Sequence, residues 1–193
     1  MKTKSLRILS LIVISLMLIG LIACARGAVE VGIHGIYLEM PQEEFLAHTE
    51  KNALGFTENS TPLFPTTIRY TSTNFSWLGD HFEANTAILD EKVQHFALLN
   101  DRYASALTAV TLYKHVEKEL KSKYGAPDRE VGAGNNPEFL IEQIEKGETM
   151  YAYCRWENIG LQHSILGDKG GEEGISISIV FMTANFTRLL PHF

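Results

Sequence analysis

Ile175-Ser176-Ile177-Ser178-Ile179-Val180-Phe181-Met182 is the stretch whose reading decides the fold. Its isoleucines and Phe181 fall at every second position, the spacing that puts them on one face of a strand with serines on the other. Such alternation belongs to an antiparallel sheet with one packed face and one wet face. Upstream, Met150–Glu157 and Ile159–Leu166 alternate in the same way, and the Gly-rich segment Gly167–Glu173 reads as a hairpin turn, so the last third is expected to be a β-meander. The helix that should cover it precedes it. From Tyr103 to Tyr124, residues Leu107, Val110, Tyr113, Val116, Leu120 and Tyr124 recur at steps of three or four, with Lys114, Glu117, Lys118 and Lys121 on the other side. Gly125 fits the left-handed position after the last turn, and Pro127 stops continuation. A second helix, Pro137–Lys146, is expected behind an Asn136 cap.

The first half of the chain repeats this grammar. Ile33–Met40 reads as a strand, and Pro41 with Glu43 and Glu44 opens a helix that should end by Gly55. Strands are expected at Thr66–Thr73, Phe82–Leu89 and Lys92–Leu99, the last two joined by an Asp90-Glu91 turn, with loops at Leu54–Pro65 and Asn74–His81. The fold class is therefore α+β, an antiparallel meander with helices packed on one face. The element order suits two helix-plus-three-strand units, although no residue-level repeat accompanies it.

Residues before this domain carry an address. Lys2, Lys4 and Arg7 precede an uncharged run, Ile8 to Ala25, and together they form the basic and apolar regions of a secretory signal peptide. The run spans roughly 27 Å at about 1.5 Å per residue, so an uncleaved anchor is physically possible, and cleavage after Ala25 or Ala28 also satisfies the small-residue rule. What favours another outcome is Leu21-Ile22-Ala23-Cys24, which resembles the lipobox of bacterial lipoproteins. The resemblance implies cleavage before Cys24 and a diacylglyceryl group, with palmitate-type chains, on its thiol. It also implies an exported, membrane-anchored lipoprotein of the cell envelope, on the outer membrane facing the periplasm if the host has two membranes. On this reading residues 1–23 are signal peptide, 24–32 lipidated N-terminus and tether, and 33–193 one α+β domain. Two acyl chains, at about 0.8 kcal/mol per buried CH₂, hold a protein stably where one does not.

Two further stretches carry a resemblance. Gly35-Ile36-Tyr37-Leu38-Glu39-Met40-Pro41-Gln42-Glu43-Glu44-Phe45 is similar to the strand-to-helix start of small outer-membrane-assembly-type envelope lipoproteins and of beta-lactamase-inhibitor-protein-like domains. Glu39 stands where that pattern has glycine, and Pro41 where it has a Ser/Thr cap. Lys123-Tyr124-Gly125-Ala126-Pro127, followed by Trp156, resembles exported lipoproteins whose helix ends in K-Y-G-x-P. The resemblance implies an α+β domain with a non-enzymatic binding or structural role in the envelope. The alternative it suggests is an inhibitor or immunity-type module that blocks a secreted hydrolase.

Charge narrows the partners. Beyond residue 23 the chain holds 14 Lys+Arg against 23 Asp+Glu, a formal charge of −9, which argues against nucleic acid and against charge-driven membrane binding. The lipid bilayer is expected to be met through Cys24, and a protein or envelope partner through the domain. No catalytic, cofactor or metal motif stands out. The seven histidines show no metal-ligand spacing, and Cys154 sits mid-strand with Ala152 and Trp156 on the core side. Glu142, Glu145 and Glu148, and Glu172 with Glu173, read as solvated charge, and Gly167-Asp168-Lys169-Gly170-Gly171 lacks phosphate-loop spacing. Parity leaves Tyr151, Tyr153, Arg155, Gln162, Ser164, Ser176 and Ser178 on the opposite side of the meander, a candidate partner-binding face because tyrosine and arginine dominate binding hot spots. The plainer reading of that face is solvated surface with tyrosines stacked across strands.

Overall fold

In a computed structural model, residues 30–103, 105–132, 136–147, 150–167 and 174–189 are described. The signal peptide, Cys24, the tether to residue 29, Glu148, and the turn residues 168–173 lie outside them. Strands β1 (Gly32–Ile33) and β2 (Ile36–Tyr37) lead to helix α1 (Gln42–Lys51). Strands β3 (Thr57–Asn59), β4 (Ile68–Trp77), β5 (Asp80–Leu89) and β6 (Lys92–Tyr103) follow. Helix α2 (Ala106–Tyr124) then precedes β7 (Arg129–Val131), α3 (Pro137–Glu145), β8 (Met150–Trp156), β9 (Leu161–Gly167), β10 (Ile175–Met182) and α4 (Ala184–Thr187).

Eight strands form one antiparallel sheet in the order β3-β4-β5-β6-β10-β9-β8-β7. The fold is the expected α+β architecture, with a refinement. Each half contributes four strands rather than three after its leading helix, with α3 set between β7 and β8 in the second, and the two halves meet where their last strands, β6 and β10, pair. The added strands are the edges, β3 and β7, three residues each and therefore too short to show a period.

The alternating residues form the core as expected. Ile177, Ile179, Phe181, Phe96, Leu98, Phe82 and Ala84 are fully covered on one face, where Phe45 of α1, Val110, Tyr113, Val116 and Leu120 of α2, and Leu140 of α3 pack against them. Ser105 caps α2 by accepting from the Thr108 N–H at 3.2 Å, and Gly125 ends it at φ 82°. Asn136 caps α3 as expected, accepting from the Phe139 N–H at 3.1 Å. Trp156 is buried, and its indole N–H donates to the Gly125 carbonyl at 2.9 Å, so the end of α2 is tied to the end of β8. In the other half Trp77 leans on Phe82, with ring centres 6.4 Å apart.

Several expectations are corrected. Ile33–Met40 is not one strand. His34 and Gly35, at φ 57° and 77°, reverse the chain, and this is why Ile33 and Ile36, three apart, are both buried. Gly32, expected at the end of the tether, is itself in β1. The segment Asn74–His81 is not a loop. β4 and β5 run on to a two-residue turn, Leu78-Gly79, whose φ values of 53° and 86° match a hairpin reversal, as do 51° and 58° at Asp90-Glu91. Leu107 does not face the core but is 61% exposed, because α2 begins three residues later than expected and its first turn packs through Ala106, Ala109 and Val110. Finally, one short helix lies on the other face. Phe186 of α4 stacks on His95 and meets Phe64 there.

Replacing Trp156 with alanine removes this packing and the bond to Gly125. Urea unfolding should show a loss of about 3–5 kcal/mol. Cys154, fully buried beside Tyr113, should react with a thiol reagent only as fast as the domain opens.

Candidate functional site

The uncovered corner of the sheet is built by β7, β8 and β9. Register places Arg129 opposite Arg155, which lies opposite Gln162, and Val131 opposite Tyr153, which lies opposite Ser164. The pleat sends these side chains away from the helices. Arg155 donates from Nε (3.1 Å) and Nη2 (2.5 Å) to the Gln162 Oε1, and the Gln162 amide donates to the Tyr151 hydroxyl at 2.9 Å. The Tyr151 and Tyr153 rings lie 5.4 Å apart, and the guanidinium groups of Arg155 and Arg129 sit 5.5 and 5.9 Å from the centre of the Tyr153 ring. Tyr151 is 46% exposed, and Leu166, its cross-strand neighbour, is exposed beside it.

Of the residues expected on this face, Tyr151, Tyr153, Arg155 and Gln162 are brought into one mutually supported group. Ser164 and Ser178 are not part of it, since their hydroxyls bond to each other at 2.7 Å and Ser164 is buried. Ser176 lies on the same face across Leu166. Arg129 joins the group without a cue in the sequence. Its strand is three residues long, and nothing in Asp128-Arg129-Glu130-Val131 signals a strand until β8 supplies the pairing.

On the opposite face of the same strand stands a second polar cluster. Lys121 of α2 lies 2.6 Å from Glu117 and 2.7 Å from Glu130, and Lys114 lies 2.7 Å from Glu117. Burial works against ionising Glu117, but the two lysine contacts outweigh it and hold its carboxyl below the usual range. Lys121, also opposed by burial, is held above its usual range by the two carboxylates. Oxygens of Glu117 and Glu130 and the Cys154 sulfur lie within 4.8 Å of one another, the set that could hold a soft cation. The Lys121 ammonium already bridges both carboxylates, and burial, then Glu117, pushes the thiol up, away from the thiolate a metal requires. The arrangement suits an internal ion pair that ties β7 to α2.

Comparison with family models, with curated proteins and with solved structures finds no match to this chain. The site is therefore read from its own chemistry. Among the acidic residues weighed from sequence, Glu142 pairs with Lys146 one turn away and Glu145 is exposed. Glu148, Glu172, Glu173 and the Asp168–Gly171 segment lie outside the described residues.

His163, fully buried in β9, stacks on Tyr113 at 4.4 Å. Its Nδ1 is 3.1 Å from the Ser178 carbonyl and its Nε2 is 3.0 Å from the Tyr113 carbonyl. A neutral ring has one N–H and serves only one of them. Burial nonetheless lowers its pKa to about 4, and burial followed by Arg69 lowers that of His95 to about 4. Between about pH 4 and 6.5 the unfolded rings bind protons that the folded ones refuse, so stability is full above pH 6.5 and falls as pH drops towards 4. The loss should be on the order of 3 kcal/mol per ring. His163→Gln should flatten that slope in denaturation series across this window; an unchanged slope would mean His163 does not titrate there.

Proposed function

We propose that this protein is a lipid-anchored lipoprotein of the cell envelope whose domain acts as a non-enzymatic binding or structural module. The anchor is read from the lipobox-like Leu21-Ile22-Ala23-Cys24. The observation that carries the binding role is the Arg129–Tyr151–Tyr153–Arg155 group, held in place by stacking and by Gln162 on a sheet face that helices α1 to α3 leave open. Large side chains that are already ordered lose little entropy on docking, which is what a hot spot requires. Cys154, Glu117 and His163, the buried reactive groups, are engaged with one another's neighbours in the helix layer and are read as structural.

A stoichiometric secreted hydrolase as the partner would make the module an inhibitor or immunity-type protein, whereas an assembly or wall component would make it an envelope scaffold. A photo-crosslinking residue at Tyr151, used in intact cells, distinguishes these by what it captures. With the partner in hand, alanine at Tyr151, Tyr153 and Arg155 together should cost about 2 kcal/mol or more, roughly 30-fold in affinity. Unchanged affinity with retained folding would leave this face as ordinary surface. For the anchor, mass spectrometry of the mature N-terminus should find lipid on Cys24, and Cys24→Ser should abolish it; an intact Met1 or an unmodified Cys24 would refute the assignment.

A further inference from the structure

Arg129 and Arg155 are direct cross-strand partners on the same face. Like charges placed opposite one another destabilise a sheet. Among the described residues no carboxylate lies within 4 Å of either guanidinium; Lys92, Lys114, Lys121 and Lys146 each have one, whereas Lys51, Arg69, Lys118, Lys123 and Arg188 do not, so what sets the two arginines apart is that they face each other. Carboxylates are not scarce, since the chain has 23 acidic residues against 17 Lys+Arg. Among the described residues, then, two cations stand side by side with no contacting carboxylate, both against the Tyr153 ring and Arg155 also bonded to Gln162. A local rule broken in this manner marks a functional position.

We infer that Arg129 and Arg155 are the receptor for carboxylate side chains of an acidic partner protein, an assignment that rests on the reading of this face as the docking surface. The side chains they contact are the Tyr153 ring and, for Arg155, the Gln162 amide oxygen. Arg129 has no side-chain acceptor among the described residues, Arg155 spends only Nε and Nη2 on Gln162, and the Tyr151 hydroxyl, which accepts from Gln162, keeps its proton to donate. Planar guanidinium forks match a carboxylate bidentately. A partner carboxylate between the two arginines relieves their repulsion, so binding gains what folding gave up. The formal charge of −9 beyond residue 23 opposes every anion, and an anionic bilayer most of all, since it must face the whole acidic surface where a short peptide meets this corner alone. A short acidic stretch beside apolar side chains meets the arginines, the tyrosines and the exposed Leu166.

The test titrates the full chain in neutral detergent with a capped decaglutamate peptide, and separately with inorganic tripolyphosphate, phosphatidylglycerol vesicles and capped decalysine. Decaglutamate should bind more tightly than the other three. Arg129→Gln/Arg155→Gln should weaken it by about 10-fold or more. Arg155→Lys, which keeps the charge and loses the fork, should fall between. Arg129→Gln should hold or raise the urea midpoint, since it removes a repulsion; a marked fall would make Arg129 structural and overturn the assignment. So would absence of decaglutamate binding, equal binding by the double glutamine variant, or preference for tripolyphosphate or vesicles. The crosslink at Tyr151 separates the two levels. A captured partner whose affinity ignores both arginines sinks this inference and leaves the docking face standing, while a partner mapped to the helix layer sinks the docking face itself.

Discussion

The pairing of β6 with β10 holds the two halves of the molecule in one sheet, and the remaining architecture depends on it. Each half is a meander that could close only its own hydrogen bonds; the seam joins their last strands in an antiparallel register from Ile175–Tyr103 to Met182–His95. Phe96 and Phe181 are partners across it, and their rings stack at 6.1 Å. Helix α2 lies over β6, β10 and β9, so its apolar stripe covers the seam rather than one half alone. Buried side chains of this size are worth about 1.5–3 kcal/mol each, which makes this strip of core the main cohesive element.

From the seam outward the sheet loses strand length and gains polarity. At the far edge, β7 is secured less by apolar contact than by Glu130 reaching Lys121 on the helix side, with Asp128 accepting from the Glu157 N–H at 2.7 Å nearby. Because successive residues of a strand point to opposite faces, the same three residues that are tied down through Glu130 present Arg129 outward. The candidate site is in this sense the back of a structural ion pair.

Much of the fold was legible in the sequence because its signals are periodic and local. Alternation in Ile175–Met182, the three-and-four spacing of α2, the Asn136-Pro137 helix start and Gly125-Ala126-Pro127 all gave elements that the structure contains. What escaped was non-local. β3 and β7 exist only as partners of longer strands, and the reversal at His34-Gly35 depends on two positive φ values hidden inside what reads as one apolar run. The site divides along the same line. Tyr151, Tyr153, Arg155 and Gln162 followed from parity on β8 and β9, whereas Arg129 required the β7–β8 pairing, and the withdrawal of Ser164 and Ser178 into a mutual hydrogen bond required the β9–β10 register.

The chain has two tryptophans, and the topology deals one to each meander. Trp77 sits half-buried near the β4–β5 turn against Phe82, while Trp156 is enclosed and hydrogen-bonded at the end of β8. Their indoles report different surroundings, one partly wet and one dry, on opposite sides of the seam. Intrinsic fluorescence of this protein is therefore a two-channel signal: if the halves melt as one cooperative unit both emission bands shift together, and if the seam parts first they separate.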